Sequence, residues 1–211
     1  MKLRILSGLI IGAVFISSIL WIPKLFYLVM SLVAIGMLIE WYNMTRSSIW
    51  LSLLGLPIIL IPVTSLFLIN FIDKNRSMLL VYFVIIWSVD TFAMLGGKSL
   101  QGPKLAPKLS PNKTWSGLLT GILSAAFMVV IVCKVLKFNI YSYYFSSTVN
   151  IFITSMIIAI IAQLSDLFVS YFKRKFGIKD TGHIIPGHGG LLDRFDSIIF
   201  TAPIFLMLVA Y

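Results

Sequence analysis

Seven runs of apolar residues, each parted from the next by a short polar stretch, fill most of this 211-residue chain. They predict helices over roughly 5–22, 25–44, 51–72, 78–95, 117–136, 148–172 and 193–211. About 20 mostly apolar residues suffice to cross a hydrocarbon core of roughly 30 Å. The expected fold is therefore all-α, a polytopic bundle of about seven transmembrane helices forming a single domain, 1–211, with N-terminal helices in 1–77 and the chemistry-bearing helices and loops in 78–211. Pro57 and Pro62 predict a kink or a split in the third run. Glu40, Trp41 and Tyr42, near the end of the second, read as an interfacial anchor. The first run follows Met1-Lys2-Leu3-Arg4 in the manner of a signal peptide. It is longer than an ordinary h-region and no small-x-small cleavage site precedes Pro23, so it is expected to be a retained helix.

Composition agrees with a membrane protein and disfavours a water-facing domain. Hydrophobic residues make up 59% and charged residues 11%, with a mean hydropathy of +1.01; a soluble domain carries about a quarter charged residues. The lone Cys133 can form no intrachain disulfide and reads as a small packing residue. A net charge of +10 would suggest nucleic acid for a soluble chain. In a membrane protein it points to loops beside anionic lipid or to phosphate-bearing substrates, and no nucleic-acid partner is expected.

Seven spans place Lys2, Arg4, Arg46, Lys98, Lys104, Lys108, Lys113, Lys173, Arg174, Lys175, Lys179 and Arg194 on one side, against Lys24, Lys74, Arg76, Lys134 and Lys137 on the other. That bias predicts a cytoplasmic amino terminus, in a multi-pass protein of the cell inner membrane. Of the seven acidic residues, Asp90, Asp166, Asp180, Asp193 and Asp196 fall on or near the same basic side. Carboxylates in hydrophobic helices are costly and mark functional sites by default.

The densest polar stretch is Ser170-Tyr-Phe-Lys-Arg-Lys-Phe-Gly-Ile-Lys-Asp-Thr-Gly-His-Ile-Ile-Pro-Gly-His-Gly-Gly-Leu-Leu-Asp-Arg-Phe-Asp196. Just before and into it, Gln163, Asp166, Ser170 and Lys173 share one helical stripe. A glycine-rich turn follows, whose backbone can approach phosphate oxygens closely. Lys and Arg add donors for the same oxygens. Carboxylates suit Mg²⁺, which commonly joins one or two of them to substrate phosphates. The combination reads as a metal–nucleotide site. No G-x-x-x-x-G-K-[ST] loop and no zinc-spaced His/Cys set is present.

This 27-residue stretch, with its Ser-x-x-Lys-Arg, Lys-Asp, Pro-x-His-Gly-Gly and Asp-Arg-x-Asp elements, resembles the signature of the phosphatidate cytidylyltransferases. So do Asp90-Thr91, Gly96-Gly97-Lys98 and Ser110-Pro111-Asn112-Lys113-Thr114-Trp115. The resemblance covers about 87–121 and 163–197. It implies transfer of CMP from CTP to phosphatidic acid, giving CDP-diacylglycerol and pyrophosphate on the cytoplasmic side. It also implies Mg²⁺, accompanied by a second, monovalent cation, and a homodimer. The implied metal ligands are Asp166 and Asp193, with Asp196 as a third. Lys173 and Arg174 join the two aspartates as catalytic candidates. Ser170, Lys179, His188, Gly189, Gly190, Arg194, Lys113 and Asp90 are the substrate-binding candidates. Ser165 and Ser116 stand where the family often has Gly and Glu.

Plainer roles exist for several of these. Asp193 suits an N-cap, Asp196 could pair with Arg194, and the lysines could meet anionic headgroups. Ser110-Pro111 resembles an N-cap with proline at the first helical position, placing Lys113 in a helix start. Two other functions use similar parts: a CTP-dependent polyprenol or phytol kinase, and a transporter with intramembrane carboxylates. Transport sites usually lie near the bilayer midplane, whereas these polar residues gather at one face.

Overall fold

The computed structural model describes residues 15–73, 77–136, 145–182, 184 and 189–210. The chain runs through α1 (Pro23–Thr45), α2 (Ile49–Ile72), α3 (Ser77–Leu100), β1 (Lys104–Ala106), β2 (Ser110–Thr114), α4 (Trp115–Val135), α5 (Thr148–Lys175), the single turn α6 (Leu192–Phe195) and α7 (Ile198–Ala210). Residues 15–20 of the first apolar run are helical as well, and 5–14 of that run lie outside the described residues. Among the described residues five helices, α1 to α5, are long and apolar enough to cross a bilayer. The protein is thus an all-α, polytopic membrane protein.

The helix ends have local causes. Thr114 caps α4 by accepting from the Gly117 amide at 3.1 Å, and Ser147 caps α5 by accepting from Asn150 at 3.1 Å. Asp73 accepts from the amides of Met78 at 2.6 Å and Leu79 at 3.3 Å, which starts α3. Helix α5 stops at Gly177, whose φ of +70° turns the chain into the left-handed region. Ile178 N then donates to Lys173 O at 2.9 Å and Gly177 N to Arg174 O at 3.1 Å, the paired bonds of a Schellman ending.

Three expectations about local structure are corrected and a fourth is narrowed. Helix α2 is not split at Pro57 and Pro62 but passes through both, which membrane helices tolerate when neighbours pack around them. Helix α3 continues past Gly96-Gly97 to Leu100. Ser110-Pro111 begins a strand, antiparallel to β1 with Lys104 opposite Thr114, so the α4 cap falls at Thr114 instead. The last predicted helix, 193–211, is interrupted at Asp196-Ser197. Ser165 causes that interruption. Its hydroxyl donates to Asp196 O at 2.5 Å and accepts from Phe200 N at 3.3 Å, replacing the i→i−4 bond that would join those two groups. A side chain inserted into the ladder is a recognised cause of helix breaks.

Packing between helices cannot rely on hydrophobic drive in lipid, where small residues and close contact serve instead. Helices α3 and α4 meet through Gly117 and Gly121: a Cβ would lie 2.5 Å from Ala93 O at the first and 2.8 Å from Val89 O at the second. Tyr82 on α3 hydrogen-bonds Thr201 on α7 at 2.7 Å within the core. Trp41 is buried, its indole donating to Leu51 O at 2.8 Å, so it ties α1 to α2 rather than anchoring at an interface.

Candidate active site

The carboxyl-terminal halves of α3 and α5 meet the starts of α4 and α6 around a cavity of about 980 Å³. Each wall follows from a local element. Helix α3 supplies Asp90 and Lys98, the hairpin supplies Lys104, Asn112 and Lys113, α5 supplies Gln163 and Asp166, and the α6 turn supplies Asp193, Arg194 and Asp196. Trp87, Met94 and Leu118 give it an apolar side, joined by Phe15 and Phe195. Asp90 lies roughly three turns before the end of α3 and Asp166 roughly two and a half before the end of α5, so the carboxylates sit well inside the helical layer.

Lys113 is the bridge across this cavity. The hairpin carries its ammonium to Asp166 Oδ2 at 2.6 Å and Gln163 Oε1 at 2.9 Å. Gln163 in turn donates to Asp90 Oδ1 at 3.4 Å, and Ser170 donates to Asp166 Oδ1 at 3.2 Å. Asp90, Gln163, Lys113, Asp166 and Ser170 thus form one connected polar set. Lys98 and Lys104 are exposed to the cavity, with no ion-pair partner among the described residues.

Asp193 is held differently. Its Oδ1 accepts from Lys173 at 2.8 Å, and its Oδ2 accepts from the amides of Thr181 at 2.8 Å and Gly190 at 3.2 Å. Burial acts to raise its pKa, but the Lys173 hydrogen bond, the two amides and the Lys173 charge together keep it below the ordinary carboxylate range. Asp196 is pushed well above that range by burial and by the negative charges of Asp166 and Asp90, only partly offset by Lys173 and Lys113.

Among the residues expected to meet substrate, Asp90, Asp166, Asp193, Asp196, Lys113 and Arg194 are brought together around the cavity. Lys173 and Arg174 do not line it. Lys173 is buried against Asp193, and Arg174 donates to Leu109 O and Ile178 O, each at 3.1 Å, clasping the hairpin to the segment after α5. Lys179 is exposed away from the cavity. Gly189, at φ +89°, and Gly190 belong to the loop that holds Asp193, and His188 lies outside the described residues. Lys98, Lys104, Asn112 and Glu40 were not among the sequence-derived site residues. Lys98 and Asn112 stand inside motifs already noted, whereas Glu40, expected to be part of an interfacial anchor, is instead buried against the loop before α6.

Among the described residues no three His, Cys, Asp or Glu side chains could enclose a metal alone. Mg²⁺ does not need such a cage, since it keeps waters and shares one or two carboxylates with substrate phosphates. Asp90, Asp166 and Asp196 crowd negative charge that Lys113 only partly offsets. This donor set fits an open divalent site.

Apolar spanning helices around a carboxylate- and lysine-lined cavity define a membrane protein equipped to handle anionic phosphate groups. Residues 45–211 match the Cytidylyltransferase family. The phosphatidate cytidylyltransferase of Rickettsia conorii is 59% identical over 209 residues, spanning 99% of this chain and 91% of that protein. The phosphatidate cytidylyltransferase of Rickettsia felis is 59% identical over 202 residues, 96% of this chain and 89% of that protein. That of Brucella abortus is 38% identical over 120 residues, covering 57% of this chain and 42% of that protein. The chain belongs to the cytidylyltransferase family and is an enzyme that transfers a CMP group.

Proposed function

We propose that this chain joins CTP to phosphatidic acid, forming CDP-diacylglycerol and pyrophosphate, with the cavity between α3, α5 and the α6 turn as its active site. The observation that carries this reading is the joint character of that cavity: four aspartates and four cations on its polar walls, and Trp87, Met94 and Leu118 on its apolar side. A triphosphate fits the first and the apolar part of a lipid the second. Trp87 and Met94 are themselves exposed on α3, which supports entry of phosphatidic acid from the bilayer.

The lipid phosphate attacks the α-phosphorus of CTP, the bond from that phosphorus to the bridging oxygen breaks, and pyrophosphate departs. Transfers of this type depend on positioning and charge neutralisation rather than on covalent help from the protein. Lys98, Lys104, Lys113 and Arg194 supply cationic donors for the phosphates. A phosphate monoester is already an anionic nucleophile and needs no strong general base. Asp166, with Asp90 and Asp196 beside it, would hold Mg²⁺, and when bound the ion supplies further charge neutralisation at the phosphates; Asp193, its oxygens taken by Lys173 and by the Thr181 and Gly190 amides, would shape the loop beside them. The Lys/Arg asymmetry of the loops supports a site facing the cytoplasm from the inner membrane, and the resemblance supports a homodimer.

Labelled CTP tests the reaction. With purified protein, Mg²⁺ and phosphatidic acid, α-phosphate label is expected in the lipid and γ-phosphate label in pyrophosphate. Appearance of γ label in lipid identifies a kinase instead and overturns the proposal.

A further inference from the structure

Glu40 lies outside the family match of residues 45–211 and outside the stretches that resemble the family signature, yet it is among the most enclosed charges of the described residues. It is 2% exposed. Near the end of α1, its Oε1 accepts from the Leu191 amide at 2.9 Å, and its Oε2 accepts from the Leu192 amide at 2.8 Å and the Thr181 hydroxyl at 2.9 Å. Leu191 and Leu192 open the α6 turn that carries Asp193, Arg194 and Asp196. A buried carboxylate is stable only when donors surround it, and here all three come from the loop.

The loop has been shaped around this carboxylate. A Cβ at Gly182 would stand 2.5 Å from Glu40 Oε1, and one at Gly190 would stand 2.6 Å from Oε2. These two glycines, which the sequence offers as phosphate-cradling positions, admit an internal carboxylate instead. Thr181 is the shared member. Its amide donates to Asp193 and its hydroxyl to Glu40, so the loop is gripped from both sides by two acids that do not touch the same atoms.

We infer that Glu40 is a positioning residue for CMP transfer, fixing the loop from α1 so that Asp193, Arg194 and Asp196 meet the nucleotide in register. This rests on the reading of that cavity as the CTP site. Displacement of catalytic groups by about 1 Å can cost on the order of 10²-fold in rate, so a carboxylate that touches no substrate can still govern turnover.

The test compares purified full-length Glu40→Gln, Thr181→Val and Thr181→Ser with wild type, measuring KM for CTP, KM for phosphatidic acid, kcat and thermal melting in the same detergent. Gln offers one acceptor oxygen where Glu offers two. Glu40→Gln is expected to raise KM for CTP about tenfold while KM for the lipid stays within about twofold. Thr181→Val should do the same and Thr181→Ser, which keeps the hydroxyl, should restore near-wild-type values. The double variant Glu40→Gln/Thr181→Val should lose less than the product of the two single losses, because both remove one contact. Wild-type KM for CTP in Glu40→Gln, equal behaviour of the Val and Ser variants, or strictly multiplicative losses would each overturn the inference. If Glu40→Gln fails to fold, the Thr181 pair decides alone. Asp193→Asn, run alongside, separates the two readings: full activity in that variant removes the assignment of the cavity, whereas a dead Asp193→Asn beside a wild-type-like Glu40→Gln removes only the role of Glu40.

Discussion

Glu40 and Asp193 each accept three hydrogen bonds, most of them from backbone or hydroxyl groups of one loop. Asp90, Asp166 and Asp196, at the same end of the bundle, are far less well supplied among the described residues. Asp90 has one long bond from Gln163, Asp166 has Lys113 and Ser170, and the Asp196 side chain has Ser197 at 3.5 Å. A carboxylate saturated with donors has its charge already spent on holding backbone. Carboxylates crowded together with too few donors remain in want of a cation. The carboxylate group is the same, and its surroundings decide whether it builds the site or serves in it.

This contrast can be broken by substitution. Asp166→Asn should lower CMP transfer by at least about 10³-fold, the scale expected from losing a metal contact worth several kcal/mol. Its melting temperature should stay level or rise, since repulsion with Asp90 and Asp196 is relieved. Asp193→Ala should abolish activity too, but with a loss of about 3 kcal/mol in stability, because Lys173 is left buried without its partner; a melting temperature equal to that of wild type would erase the distinction between the two classes. Lys113→Ala should reduce kcat/KM about 10²-fold, in line with removal of one charge-stabilising donor. Ser165→Ala should have the smallest effect, about 1 kcal/mol or less, since Asp196 O and Phe200 N can then pair directly and close the helix ladder.

The parts of this protein that were legible from sequence are those in which energy depends on composition alone. Long apolar runs give spanning helices whatever their neighbours, so α1 to α5 follow from the hydrophobic pattern. Aspartates inside such runs are too costly to be incidental, which marks Asp90 and Asp166. What sequence could not show depends on partners remote along the chain. Glu40 draws its donors from positions 141, 151 and 152 residues away, and two of these are backbone amides, which no residue type announces. The hairpin β1–β2 is too short for an alternating pattern to stand out, and Ser110-Pro111 satisfied a helix-start rule that the pairing of β2 with β1 overrode. The Gly117-Leu-Leu-Thr-Gly121 spacing did carry a close-packing signal in plain view. The break before α7 rests on one hydroxyl of Ser165 reaching from another helix.

Direct binding of Mn²⁺, followed by electron paramagnetic resonance on purified protein with a non-hydrolysable CTP analogue, bears most closely on the division between open and saturated carboxylates. The account predicts a CTP-dependent site in wild type that is lost in Asp166→Asn and retained, with weaker nucleotide dependence, in Glu40→Gln. Unchanged Mn²⁺ affinity in Asp166→Asn would contradict it.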